Sequence, residues 1–282
     1  MAARSRVMLP ALRALWLTAP LWGGVTVGDG GSGPLAAAAT VLLWIGWAVA
    51  LIALLVRSTV SLTCIRLVIP AALIGALMTG RGPWWFVTLG GGLITLALAF
   101  SADIGHAFID GSAYGNERRF PLRAPAGVLL AAPVVWAIDA VGIVGGALLL
   151  ADHHWVLGSV AVVVGLPLAF ITTQSLHRLS RRFAVLVPAG LVVHDPIVLA
   201  ETALFRKAQI ARVGLAARDT GAVDFTGGAA GLAVEVQLVE DCIVTLAAER
   251  PGQAIEPKAV RAVIFTPSRP GRLLEAWASG RR

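Results

Sequence analysis

The chain has 282 residues, of which 57% are hydrophobic and 14% charged, against about a quarter charged in an average soluble domain. Several long apolar runs follow one another before residue 176, which excludes a simple soluble globule and indicates a polytopic membrane protein. The net charge of +7, from 23 basic and 16 acidic residues, is the balance that arginines at cytoplasmic helix ends produce, and it is no sign of a nucleic-acid partner.

Six spans are predicted, at about 7–27, 35–56, 63–80, 84–101, 125–150 and 154–176. The first carries Pro10, Arg13 and Pro20, and a cleaved signal peptide competes with it: Arg4 and Arg6 precede the apolar stretch and Ala36–Ala38 follow it. The stretch is too long and too far from that site, so it is kept as a span. With the N-terminus in the cytoplasm, Arg57, Arg118, Arg119, Arg123, Arg178, Arg181 and Arg182 all fall inside, and Arg13 and Arg66 lie close enough to snorkel. The outer loops 28–34, 80–83 and 151–154 hold one arginine, Arg81. Both termini are therefore expected in the cytoplasm of a plasma-membrane protein, with Trp84, Trp85 and Trp155 at the outer interface.

The fifth predicted span contains one charge, Asp139, eleven residues before Leu150 and so roughly 16 Å deep at 1.5 Å per residue. Thr95 on the fourth span lies at the same depth, and Trp44 and Trp47 could present indole N–H groups nearby. Two readings stay open. Asp139 is a neutral packing group sharing its proton with Thr95, or it belongs to a proton- or cation-coupled pathway beside Gly142, Gly145 and Gly146, with Gly90–Gly92 interrupting the fourth span.

Between the fourth and fifth spans, Asp103, His106 and Asp110 are spaced i, i+3 and i+7, a trio able to bind a divalent metal if the fourth helix continues past the membrane. The alternative is a solvated helix face that turns at Asp110-Gly111. Arg118, Arg119 and Arg123 follow and could hold anionic lipid headgroups or simply set orientation. The triplet at 152–154 is a hairpin turn, and the glycine-rich 28–33 is a turn and not a nucleotide cradle. No nucleophile elbow, Walker or zincin motif occurs, Cys64 and Cys242 define no framework, and no cofactor is called for.

After Arg182 the pattern turns to alternation of period two. Two short strands are expected in "RRFAVLVPAGLVVHDP", turned by Pro188-Ala189-Gly190, then strands at 196–200, 203–213, 232–238, 242–248 and 259–265, with Glu240-Asp241 as a tight connection. A closing helix has Ser268 as its cap, Pro270 in its first turn, Gly280 at its end, and Leu273, Leu274 and Trp277 on one face. Residues 1–179 thus form a membrane domain, and 180–282 a small cytosolic β-rich barrel or sandwich closed by a helix.

In strand number, order and closing helix, 180–280 resembles the bacterial pleckstrin-homology-like domains that sit behind membrane helices. Through "AYGNERRFPLRAP", "LVPAGLVVHDP" and "FTPSRPGRLLEAW" the whole chain is similar to actinobacterial multi-pass membrane proteins of uncharacterised function. That resemblance implies no activity and transfers no catalytic residue. The expected role is non-catalytic: a membrane scaffold or regulator whose cytosolic domain binds a protein or an anionic lipid. A small transporter or channel using Asp139 is the alternative.

Overall fold

The computed structural model describes residues 2–24, 33–79, 84–248 and 257–280. Of the outer loops expected at 28–34 and 80–83, residues 28–32 and 80–83 lie outside them. The chain forms two compact units, Met1–Phe108 with Ala132–Leu176, and Ile109–Ala131 with His177–Arg282.

The first unit is helical. It comprises α1 (Ala2–Leu17), a π-helical turn at Pro20–Gly24, α2 (Pro34–Leu55), α3 (Thr59–Thr79), α4 (Trp84–Ala99) and most of α5 (Ala102–Asp110). After the loop come α6 (Ala126–Ala140), a second π-helical turn at Val141–Gly145, α7 (Gly146–Ala151) and α8 (Trp155–Ser180). Among the described residues four helices are long and apolar enough to cross a membrane: Pro34–Leu55, Thr59–Met78, Ala126–Ala151 and Trp155–Ser180. Trp85–Ala99 with Ala102–Asp110 makes a fifth if that bent pair counts as one span, and Val7–Leu17 is a shorter apolar helix.

Two details differ from the sequence expectation. Gly90–Gly92 do not interrupt the fourth helix, which runs through them; Gly91 and Gly92 make room for neighbours. A Cβ on Gly91 would sit 3.2 Å from the Trp22 ring, and one on Gly92 would strike Leu73. Nor does the fourth helix continue straight into the loop. It bends by 52°, because Ser101 starts a new helix by accepting the Ile104 N–H at 3.2 Å, with Asp103 in the first turn.

The helix pair α7–α8 turns at Asp152–His154 as expected. His153 adopts a left-handed φ of 62°. The His154 N–H reaches Leu149 O at 2.9 Å and the His153 N–H reaches Leu150 O at 3.2 Å, which together satisfy the last carbonyls of α7. Small residues let the two helices approach: Gly142 faces Gly165, with a Cβ on Gly165 only 3.0 Å from the Gly142 carbonyl carbon.

The second unit is two sheets and a helix. β1 (Arg118–Pro121), β2 (Phe183–Val187), β3 (Gly190–His194) and β4 (Ala203–Arg206) form an antiparallel meander in the order β1-β2-β3-β4. β5 (Ile210–Leu215), β6 (Val223–Asp224), β7 (Val234–Thr245) and β8 (Pro257–Phe265) form a second sheet in the order β5-β7-β8-β6, with β6 parallel to β8. Inward residues of both sheets, including Phe120, Phe205, Phe225 and Phe265, share one core with Leu273 and Trp277 of α9 (Pro270–Ser279). The 183–194 hairpin forms as expected, except that Gly190, read as part of the turn, opens β3 and pairs with Val187. Against the boundary expected between 179 and 180, the C-terminal segment of this unit begins at His177, and Ile109–Ala131 joins it to supply β1.

Other strand expectations need correction. Residues 196–200 form a turn, because Asp195 draws the chain round: its Oδ1 accepts the Ile197 N–H at 3.1 Å and its carbonyl the Leu199 N–H at 2.8 Å. The run 203–213 is divided by a 3₁₀ turn at Lys207–Gln209, which sends β4 and β5 to different sheets. Glu240-Asp241 is not a connection. β7 passes through it as one 12-residue strand, and a register shift against β8 between Gln237 and Cys242 absorbs the irregularity. Ser268 does not cap α9, which begins after Arg269; its Oγ is buried without a partner while its N–H bonds Pro121 O at 2.8 Å.

Candidate functional site

Tryptophans hold the helical unit together through backbone carbonyls. Trp16 Nε1 donates to Trp47 O and Trp47 Nε1 donates back to Trp16 O, both at 2.9 Å, so α1 and α2 are stapled reciprocally. Trp136 Nε1 reaches Leu67 O at 3.0 Å, joining α6 to α3, and Trp85 Nε1 reaches Leu77 O at 3.1 Å, joining α4 to α3. Each indole buries a large apolar face while its single donor is satisfied across a helix boundary.

The two arginines of this unit expected to snorkel are spent on helix ends. Arg13 donates from Nε to Leu54 O at 2.8 Å and from Nη2 to Leu55 O at 3.3 Å, meeting the last carbonyls of α2. Arg66 places Nε 3.5 Å from Ala99 O at the end of α4, with its guanidinium 5.7 Å from the Phe100 ring centroid.

Between α1, α2, α3 and α4 lies a cleft lined by Trp16, Trp22, Trp44 and Trp47 on one side and by Leu73, Gly92 and Thr95 on the other. Thr95 is therefore a wall of this cleft. Its hydroxyl donates to Gly91 O at 2.8 Å and is not shared with Asp139, which corrects the expected pairing. The Trp47 N–H is likewise spent on Trp16.

Asp139 sits on α6 two residues before the π-helical turn at Val141–Gly145, three residues from Trp136 and so near the helix face that meets α3. It is 8% exposed, and its Oδ1 is enclosed with no hydrogen-bond partner. Such an oxygen has given up hydration without replacement, an arrangement stable proteins rarely keep.

The proposed metal trio does not assemble: among the described residues no three His, Cys, Asp or Glu side chains gather to hold an ion. Asp110 instead accepts the Arg119 backbone N–H at 2.9 Å and so anchors the start of β1. Asp103 is buried in the first turn of α5, where its charge complements the helix dipole, and His106 lies one turn on.

The three arginines at 118–123 flank or belong to β1. Arg118 is exposed, its guanidinium 5.7 Å from the Phe120 ring centroid. Arg119 pairs with Glu117 at 3.1 Å, donates to Ser112 Oγ at 3.2 Å and stacks over Phe183 at 5.3 Å. Arg123 donates to Ala230 O at 3.3 Å. Of the three, Arg118 has its charged end most free.

The sequence reading missed the most buried charge pair. Arg182, counted there as an orienting cytoplasmic arginine, is 1% exposed and bonded to Asp195. Its Nη1 also donates to Arg123 O at 2.7 Å and its Nη2 to Thr226 O at 2.9 Å. One guanidinium thereby joins the segment after β1, the end of β3 and the loop after β6. Close by, burial lowers the His194 imidazole below its usual 6.5; Arg181 adds to the effect, Asp195 opposes it and Arg119 adds a little more. His194 Nδ1 lies 2.9 Å from Thr202 Oγ1. Compared with family models, with curated proteins and with solved structures, the chain matches none of them.

Proposed function

We propose that the chain is a plasma-membrane protein of six crossings with both termini in the cytoplasm, serving as a non-catalytic scaffold or regulator. In this reading its β-rich unit is a cytosolic, pleckstrin-homology-like domain that binds a protein or an anionic lipid. The observation that carries the proposal is the ladder between β1 and β2, in which Arg118 pairs with Leu186 and Pro121 with Phe183. The chain leaves this sheet after β1, runs through α6, α7 and α8, and returns to it at β2. Both ends of that excursion are hydrogen-bonded neighbours, which supports two crossings between them and one side for the whole sheet unit. A four-stranded meander, a second sheet and a closing helix support the pleckstrin-homology-like reading. The test is a pull-down from native membranes of the full chain beside one lacking 180–282. Loss of every partner on truncation is expected; an unchanged set of partners refutes the scaffold.

A small proton- or cation-coupled transporter is the second reading, favoured by the unpartnered Asp139 Oδ1 beside a π-helical turn. It requires Asp139→Asn to abolish flux in proteoliposomes, and unchanged flux of every ion tried removes the acid from the mechanism.

A further inference from the structure

The cleft between α1 and α4 has an unusual polar balance. Its lining contains four indoles and two threonines, yet nearly every polar hydrogen there is already used. Trp16 and Trp47 bond each other's carbonyls, and Trp22 Nε1 lies 3.3 Å from Thr18 Oγ1. Thr40 Oγ1 donates to Ala36 O and Thr95 Oγ1 to Gly91 O, both at 2.8 Å within their own helices. Trp44, half exposed at the opening, keeps the one lining indole N–H without a partner among the described residues. A polar ligand would find no donor in the interior and would lose its own hydration there.

The cleft is also held open. The reciprocal Trp16–Trp47 bonds fix the spacing of α1 and α2. Trp22 rests on Gly91, where no side chain intervenes. Helices kept apart by such supports cannot close over the space, so its walls forgo dispersion contacts unless something apolar enters. α1, α2, α3 and α4 each stay packed on their neighbours around the cleft, which leaves no room for a further helix about 10 Å across, so the occupant must be thin. The opening lies beside α2, whose 22 residues contain no charge and whose Val41, Ile45 and Ile52 are exposed, as on a surface bathed in hydrocarbon. The medium and the shape agree.

We propose that this cleft binds one acyl chain of a bilayer lipid, inserted between the indoles of Trp22 and Trp44 toward Gly92 and Thr95. This goes beyond the scaffold reading and does not depend on it. The test is native mass spectrometry of the full chain extracted in a delipidating detergent, beside Ala72→Phe and Ala76→Phe, each of which places a ring in the cleft from α3. The wild type is expected to retain a lipid mass, and each variant to retain about tenfold less. No retained lipid in the wild type, or equal retention in the variants, overturns the proposal. Should both variants fail to fold, the wild type in liposomes containing a lipid with a mid-chain diazirine decides. Adducts concentrated on Leu43 and Leu73 support the site; adducts spread equally over the outward Ile45, Ile52 and Ile94 overturn it.

Discussion

Arg182 and Asp195 form a buried, two-pronged ion pair in the sheet unit: Arg182 Nη2 lies 2.7 Å from Asp195 Oδ2, and Nε lies 2.9 Å from both carboxylate oxygens. The side chains are 1% and 0% exposed. Burying two charges is costly, and the cost is offset here because the fork also meets the Arg123 and Thr226 carbonyls while the carboxylate accepts the Ile197 N–H. The pair therefore fixes which segments meet more than it adds net stability.

Removing one partner leaves the other charge buried and alone. Asp195→Ala is expected to destabilise the sheet unit by about 3–5 kcal/mol, a large part of the stability of a typical domain. Hydrogen exchange at β2 and β3 in the full chain should rise accordingly. Arg182→Lys should rescue little, since an ammonium cannot reproduce the planar fork.

Two left-handed positions should respond in opposite ways. Gly227, at φ 61°, would place a Cβ 3.0 Å from Val198 Cγ2 and 3.2 Å from Arg182 Nη2, so Gly227→Ala combines backbone strain with crowding of the ion pair. A loss of about 2 kcal/mol is expected. His153 pays the left-handed strain in the native chain, and His153→Gly should gain up to about 1 kcal/mol. Thermal melting of the two variants in one detergent compares them.

The reciprocal tryptophan staple predicts modest, similar losses. Trp16→Phe and Trp47→Phe each remove one indole donor and leave its carbonyl acceptor at the opposite helix. Each should cost about 1 kcal/mol by melting. The double variant should show coupling in a double-mutant cycle, because both bonds share one helix spacing.

His194 should make the sheet unit sensitive to acid. Its folded-state value is depressed below 6.5, first by burial and then by Arg181, so the native state binds fewer protons than the unfolded one between that lowered value and about 6.5. Stability contributed here is full above about 6.5, falls as pH drops through the window, and levels off once both states are protonated. An NMR titration of the imidazole should show a midpoint below 6.5, and Arg181→Gln should move it upward.

Local patterns were legible wherever one short stretch decides its own structure. The 183–194 hairpin follows from two short apolar runs around Pro188-Ala189-Gly190, although Gly190 itself pairs in β3, and α9 follows from Pro270 and its apolar face, though not from Ser268, whose hydroxyl is buried elsewhere. Asp139 was found from the sequence because a lone acid in an apolar run is conspicuous. The Thr95 partner that one reading offered does not form, because equal depth says nothing about rotation about the helix axis. Arg182 was misread because an arginine after a span looks the same in sequence whether it faces water or a carboxylate thirteen residues away. The cleft carried no sequence signal beyond an excess of tryptophan, since its walls come from four helices.

The sequence by itself determined the presence of apolar, membrane-type helices and the change to β structure after Arg182, because transfer of apolar side chains from water and the periods of helix and strand are local properties. Tertiary structure alone decided that 118–121 completes a sheet with 183–187, that Trp16 and Trp47 exchange hydrogen bonds, and that Arg182 is buried on Asp195. Each of these joins residues distant in the chain, and the buried polar groups involved must find partners wherever the fold brings them.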